Sequence, residues 1–190
     1  MIYQYLMTFR IRVLYHLWVI EPLIIGYPFA TLIEMTRIAI NGFGRIGRTA
    51  ARILVEKYGN DLELVAINTS GSMEVEGWTH LLKYDTAYGK FDREIKSIHL
   101  QDAKQVSDIN PVIGQIQIEG LPAPIPVLAQ RDPAKLPWRD YRVDIVIEST
   151  GIFNSAEKAH AHITAGAKKV LLSAPPNPPA AGENIETCII

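Results

Sequence analysis

Three glycines, Gly42, Gly44 and Gly47, stand in GxGxxG register within INGFGRIGRTA, residues 40–50. The chemistry that this spacing offers is the cradling of a phosphate. Gly42 permits a tight turn, Gly44 lets the backbone approach a pyrophosphate, and Gly47 lets a helix pack closely on a strand. A helix that opens there presents unpaired N–H groups and the positive end of its dipole to an anion. The motif alone is weak, but its context is right. It follows the apolar run RIAIN (37–41), opens a helix read from about Arg45 to Lys57, and lies in a βαβ unit of about 30 residues. The competing reading is a tight strand–helix turn with no ligand.

No second constellation of reactive side chains competes with it. The sequence has no CxxC and no HExxH. His160 and His162 are two apart on a helix and so point to different faces. His80 and His99 sit in ordinary helix and strand contexts, and His16 in the N-terminal segment, so all five histidines read as solvated or core. Glu74 and Glu76 flank a loop–helix junction and read as solvated. No metal site is expected. The single cysteine, Cys188, stands in the β-branched run NIETCII without a neighbouring histidine and reads as a buried structural thiol.

The elements that would position the glycine turn alternate strand and helix from Met35 onward. Strands are read at 37–41, LELVAIN (62–68), REIKSIHL (93–100), QIQIEG (115–120), APIPVLAQ (123–130), VDIVIES (143–149), KKVLLSA (168–174) and IETCII (185–190). Helices are read at Arg45–Lys57, VEGWTHLLKY (75–84) and SAEKAHAHITAGA (155–167), the last capped by Ser155. PPNPPAAGEN (175–184) is a loop. Alternation of this kind predicts a doubly wound, Rossmann-type α/β fold: a mostly parallel sheet with helices on both faces. Gly120 and Pro122 between two strands predict a small antiparallel excursion.

At 190 residues and a net charge of −1, the chain can bury a full core and lacks the basic excess of a nucleic-acid binder. One cysteine rules out an intrachain disulfide framework and suits a reducing compartment, taken as the cytoplasm. The first 34 residues differ from the rest. They are rich in Ile, Leu, Tyr and Phe, yet Arg10, Arg12, His16 and Glu21 interrupt them and Pro22 and Pro28 break any helix. The longest uncharged stretch, residues 22–33, is 12 residues, against the ~20 needed to cross a bilayer. The segment is read as a translated upstream region with the start at Met35, as a membrane-surface or partner-binding arm, or as an extra element of the fold.

The glycine turn also carries a family resemblance. INGFGRIGR, HLLKYDTAYGKF (80–91), RDPAKLPW (131–138), DIVIESTGIF (144–153) and GAKKVLLSAP (166–175) resemble, in order and spacing, the N-terminal half of glyceraldehyde-3-phosphate dehydrogenase, from about Thr36 to Cys188. The resemblance implies an NAD- or NADP-binding domain. It implies that Gly42, Phe43, Gly44, Arg45, Ile46 and Gly47 form the pyrophosphate turn, with Arg45 and Ile46 meeting the cofactor through backbone groups. Arg131 would lie beside the adenine, with Ser149, Thr150, Gly151 and Phe153 closing that side. Ser173 and Ala174 would lie near the nicotinamide ribose and ring. For Phe153 plain core packing is the alternative.

One position departs from the family pattern. NAD-using relatives place Asp after the Asn that ends the second strand, where it grips the adenosine ribose. Here Thr69 stands there, 22 residues past Gly47, followed by Ser70, Gly71 and Ser72. The change removes a carboxylate that would repel the 2′-phosphate of NADP and so permits NADP without demanding it.

The family's reaction needs a cysteine thiolate that attacks an aldehyde and a histidine that acts as acid and base. By the resemblance, that cysteine follows the SAP strand by about 30 residues, which passes the end of this chain, and Cys188 lies too early. The chain therefore reads as a cofactor-binding fragment, itself inactive, of a phosphorylating enzyme whose full-length form is a homotetramer. The alternatives are a fragment of the related erythrose-4-phosphate dehydrogenase and a free-standing nucleotide-binding module. No nucleic-acid or membrane partner is expected.

Overall fold

The computed structural model describes residues 35–175, all within the second of two units, Met35–Ile190. The segment 1–34, the loop at 176–184, the strand expected at 185–190 and Cys188 lie outside the described residues.

The β-branched run TRIAIN forms β1 (Thr36–Asn41), and the glycine turn leads from it into α1 (Arg45–Lys57). β2 (Leu62–Asn68) and α2 (Val75–Lys83) follow. A hairpin of two-residue strands, β3 (Tyr84–Asp85) and β4 (Gly89–Lys90), comes next. Then come β5 (Ile95–His99), β6 (Val112–Ile118), β7 (Ile125–Leu128) and β8 (Ile145–Glu148). α3 (Ala156–Thr164) and β9 (Lys169–Leu172) complete the described elements. A one-turn 3-10 helix at Pro133–Lys135 is capped by the Asp132 side chain, which accepts from the Ala134 N–H.

The main sheet has the order β5-β6-β7-β2-β1-β8-β9. β7, β2, β1, β8 and β9 are parallel, while β5 and β6 run antiparallel at one edge. This is the expected Rossmann-type sheet with its antiparallel excursion, which takes in β5 as well as β6 and β7. The order reverses at β1: the chain moves from β1 to β2 on one side and returns to β8 on the other. Ligands of open α/β sheets bind at such a reversal, outside the carboxyl ends of the strands.

Alternation along β1 divides the core. Ile38 and Ile40 face one side with Phe43, Ala51, Leu54, Val75, Trp78 and Leu82, beneath α1 and α2. Ala39 faces the other with Val65, Ala66, Leu136, Trp138 and Val146. At the carboxyl end of β1, Asn41 therefore falls on the Ala39 side.

Three local readings change. Tyr84, expected to end α2, instead pairs with Lys90 in the hairpin. Arg52 stabilises that arrangement by donating to the Leu82 carbonyl at 2.7 Å and to the Gly89 carbonyl at 3.2 Å. β6 begins three residues earlier than expected, because Val112 already pairs with Leu128. α3 stops at Thr164 rather than 167, since Gly166 takes φ +112° to end it and a Cβ there would lie 2.7 Å from that of Arg139.

Candidate functional site

The three glycines do different jobs. Gly42 has φ +94°, and a Cβ on it would lie 2.6 Å from the Thr150 nitrogen. A Cβ on Gly47 would lie 2.1 Å from the Gly42 carbonyl oxygen, so no side chain fits between α1 and the turn. Gly44 is different: it is exposed, has ordinary extended φ and ψ of −70° and −163°, and a Cβ on it would meet nothing within 4 Å. Neither sterics nor backbone strain within the protein demands glycine there. Space in front of the backbone is what it leaves.

α1 begins at this open position. No side chain caps it and its first turn holds no acidic residue, so none of its own side chains answers its leading N–H groups and positive dipole end. Arg45 and Ile46 are exposed beside Gly44. Phe43 points the other way. It is fully buried and meets the Trp78 ring edge-on at 6.2 Å, so only its backbone belongs to the turn. Its carbonyl accepts from Arg48 Nη1 at 3.1 Å, which steadies the loop from within α1.

Against the glycine turn lies the 149–151 turn that follows β8. Ser149 Oγ donates to the Gly42 carbonyl at 2.7 Å. Gly151, Phe153, Ser173 and Ala174 line one shallow cleft together with Glu148, Asn154 and Leu172. Phe153 is half-buried, its ring 6.4 Å from His162 in an edge-on contact. Gly42 to Gly47, Ser149 and Thr150 are thus gathered at the β1–β8 reversal, and four further predicted residues line the adjoining cleft. Arg131 is exposed beyond the end of β7 and Thr69 follows β2, so neither lines that cleft.

The Thr69 hydroxyl is committed to the sheet. It is 2 % exposed, and its Oγ1 donates to the Leu128 carbonyl at 2.9 Å and accepts from the Gly71 N–H at 3.2 Å. The sheet takes that hydroxyl because Thr69 continues β2 alongside β7, with its own N–H also on the Leu128 carbonyl. The exposed hydroxyls here are those of Ser70 and Ser72, 2.9 Å apart.

Beneath both turns runs a buried polar network that the sequence reading missed. Asn41 faces Asn68 across β1–β2 and Glu148 across β1–β8. Asn68 Nδ2 donates to Asn41 Oδ1 at 2.7 Å, and Asn41 Nδ2 donates to Glu148 Oε2 at 2.5 Å. His162, read as solvated or core, is wholly buried and lies 3.0 Å from the same oxygen through Nε2. Trp138 Nε1 donates to His162 Nδ1 at 2.9 Å. An indole N–H only donates, so Nδ1 accepts and the ring proton sits on Nε2, aimed at Glu148. Glu148 Oε1 accepts from the Thr150 N–H at 2.7 Å and from the Thr150 hydroxyl. Burial pushes the Glu148 carboxyl up, but the hydrogen bonds from His162, Thr150 and Asn41 outweigh it and hold it below the usual glutamate range. The available signal was a polar residue closing each of three apolar strands: IN at 41, IN at 68 and IE at 148.

Glu74, read as solvated, accepts from the Ala103 N–H at 2.8 Å. Its carboxylate, His99 and Asp102 bring one ligand atom each to within 4.8 Å of one another. His99 is exposed and already has carboxylate neighbours at both ring nitrogens, Glu76 at 3.3 Å and Asp102 at 3.5 Å. No helix among the described residues is long and apolar enough to cross a membrane.

An open backbone position before an uncapped helix, at the reversal point of a parallel sheet, fits a dinucleotide's pyrophosphate. Comparison with known proteins gives the family. Residues 36–156 match the family model described as "Glyceraldehyde 3-phosphate dehydrogenase, NAD binding domain". The chain is 44% identical over 158 residues to a glyceraldehyde-3-phosphate dehydrogenase of Thermotoga maritima, covering 82% of this chain and 40% of that protein. It is 44% identical over 150 residues to the chloroplastic glyceraldehyde-3-phosphate dehydrogenase A of Scenedesmus vacuolatus, covering 79% and 41%. It is 48% identical over 139 residues to a glyceraldehyde-3-phosphate dehydrogenase of Zymomonas mobilis, covering 73% and 36%. The chain spans about two fifths of the length of these relatives. It belongs to the glyceraldehyde-3-phosphate dehydrogenase family and carries that family's NAD-binding domain.

Proposed function

We propose that this chain is the cofactor-holding part of a phosphorylating glyceraldehyde-3-phosphate dehydrogenase, which oxidises the aldehyde to an acyl phosphate with NAD or NADP. The observation that carries the reading is the open face of Gly44 before the uncapped start of α1. The N–H groups of Arg45 and Ile46 would hold the pyrophosphate there. Ser149, Thr150, Gly151 and Phe153 would border the adenosine side with Arg131 beyond, and Ser173 and Ala174 would flank the nicotinamide end. The nicotinamide supplies a hydride acceptor. The residues of this chain bind and orient it.

The end of β2 supports use of both cofactors. The side chain at 69 is a threonine turned into the sheet, and the exposed groups beside it, Ser70 and Ser72, are uncharged. A 2′-phosphate there meets no carboxylate from residues 69–72. The family's activated thiol is not among the described residues, and the sequence's single cysteine is Cys188. The residues of this chain would serve cofactor binding, within a cytoplasmic homotetramer. The family resemblance supports the tetramer, and cysteine usage supports a reducing compartment.

The test is cofactor affinity in Gly44→Val. Valine at 44 meets no protein atom at its Cβ and takes an allowed extended backbone, so the fold stays intact while the branched side chain enters the pyrophosphate's space. Calorimetric titration with NAD should show binding to the native chain and at least a tenfold weaker constant in the folded variant. Equal affinity would mean that the turn is only structural.

A further inference from the structure

The hydrogen bonds beneath the site have a direction that no side chain can reverse. At one end, the Gln130 backbone fixes Asn68, its N–H donating to Oδ1 at 2.9 Å and its carbonyl accepting from Nδ2 at 2.8 Å. Asn68 can then only donate to Asn41 Oδ1, which turns Asn41 Nδ2 toward Glu148. At the other end, the Trp138 indole can only donate, which places the His162 proton on Nε2, again toward Glu148. Asn41 Nδ2 and His162 Nε2 lie 3.4 Å apart as two donors converging on one oxygen. Two anchors that cannot flip, a peptide unit and an indole, thus send donors inward from both sides.

We propose that Glu148 and His162 are positioning residues for cofactor binding, forming a buried centre that must be acceptor-only and whose free oxygen fixes the 149–151 turn against the glycine loop. This rests on reading that loop as the cofactor site. With Oε2 filled by the two inbound donors, Oε1 takes the Thr150 N–H and hydroxyl. That turn is what Gly42 packs on, and its Ser149 holds the Gly42 carbonyl. The carboxylate therefore sets the spacing between the β1 and β8 turns before any ligand arrives. Glutamine cannot replace it: its amide would aim N–H groups at the donors of Asn41 and His162, or at those of Thr150. His162 is wholly buried and acts through Glu148 and the turn.

The test uses the full 190-residue chain labelled with 15N at pH 7, with NAD as the probe. His162 should show a pyridine-type Nδ1 and a protonated Nε2, and the Thr150 amide should be protected from hydrogen exchange without NAD. Glu148→Gln should speed Thr150 exchange at least tenfold and weaken NAD binding at least tenfold while folded. A His162 proton on Nδ1, an imidazolium, or an unprotected Thr150 amide in the native chain would overturn the proposal. So would a folded Glu148→Gln chain with native NAD affinity. If that variant does not fold, the two measurements on the native chain decide. If the native chain fails to bind NAD, the functional reading falls, and the tautomer and the Thr150 amide still decide the network.

Discussion

Thr69 turns its hydroxyl into the sheet, so any effect of this position on cofactor choice comes from the carboxylate it lacks. Its hydroxyl donates to the Leu128 carbonyl, which an aspartate cannot do. In Thr69→Asp the carboxylate is repelled by that carbonyl and swings outward, where it can accept from ribose hydroxyls and repel a 2′-phosphate. That repulsion amounts to about 1–3 kcal/mol after screening, or roughly ten- to a hundredfold. The native chain should bind NADP within tenfold of NAD, and Thr69→Asp should shift the ratio of dissociation constants toward NAD by at least tenfold at fixed ionic strength. An unmoved ratio would place residue 69 away from the ribose. Glu148 makes a second prediction at this scale. Its carboxyl is held below the usual glutamate value in the folded state, so its stabilisation is complete above the unfolded value of about 4.3 and is lost as pH falls through the lower folded value. Chemical unfolding below about pH 4.5 should therefore show a shallower pH dependence in Glu148→Gln than in the native chain. Parallel acid limbs would contradict this.

Among the elements, α1 and the ends of β1 and β8 carry the site, and their fit is tight. Gly47→Ala puts a methyl 2.1 Å from the Gly42 carbonyl and 3.0 Å from Ser149 Oγ, so α1 must tilt away from β1. Overpacking of this kind costs about 1–3 kcal/mol. The thermal midpoint should fall by roughly 2–4 °C per kcal/mol for a chain of this size, and an unchanged midpoint would show the helix already stands clear. These elements were legible in the sequence because short apolar runs and glycine punctuation are local signals. The glycine turn, the strands on either side of it and the antiparallel excursion near Gly120 all follow from neighbours in the chain. The β3–β4 hairpin was not legible, because Arg52 stabilises it from the opposite element through backbone carbonyls. The Asn68–Asn41–Glu148–His162 chain was not legible either. It joins residues up to 121 positions apart, and only the register of β2, β1 and β8 brings them side by side. Thr69 was placed at the right strand end, but which way its hydroxyl turned depended on β7 being the next strand.

For the molecule as a whole, the described part is a device for presenting a dinucleotide, and its most direct test is to find where NAD lies on it. Amide chemical shifts of the 15N-labelled chain should be followed as NAD is added to saturation. The account predicts the largest changes at Gly44, Arg45, Ile46, Thr150 and Gly151, with smaller ones at Ser173 and Ala174 and little at β5 and β6 across the sheet. Changes centred elsewhere, or a native chain whose spectrum does not respond to NAD, would contradict it.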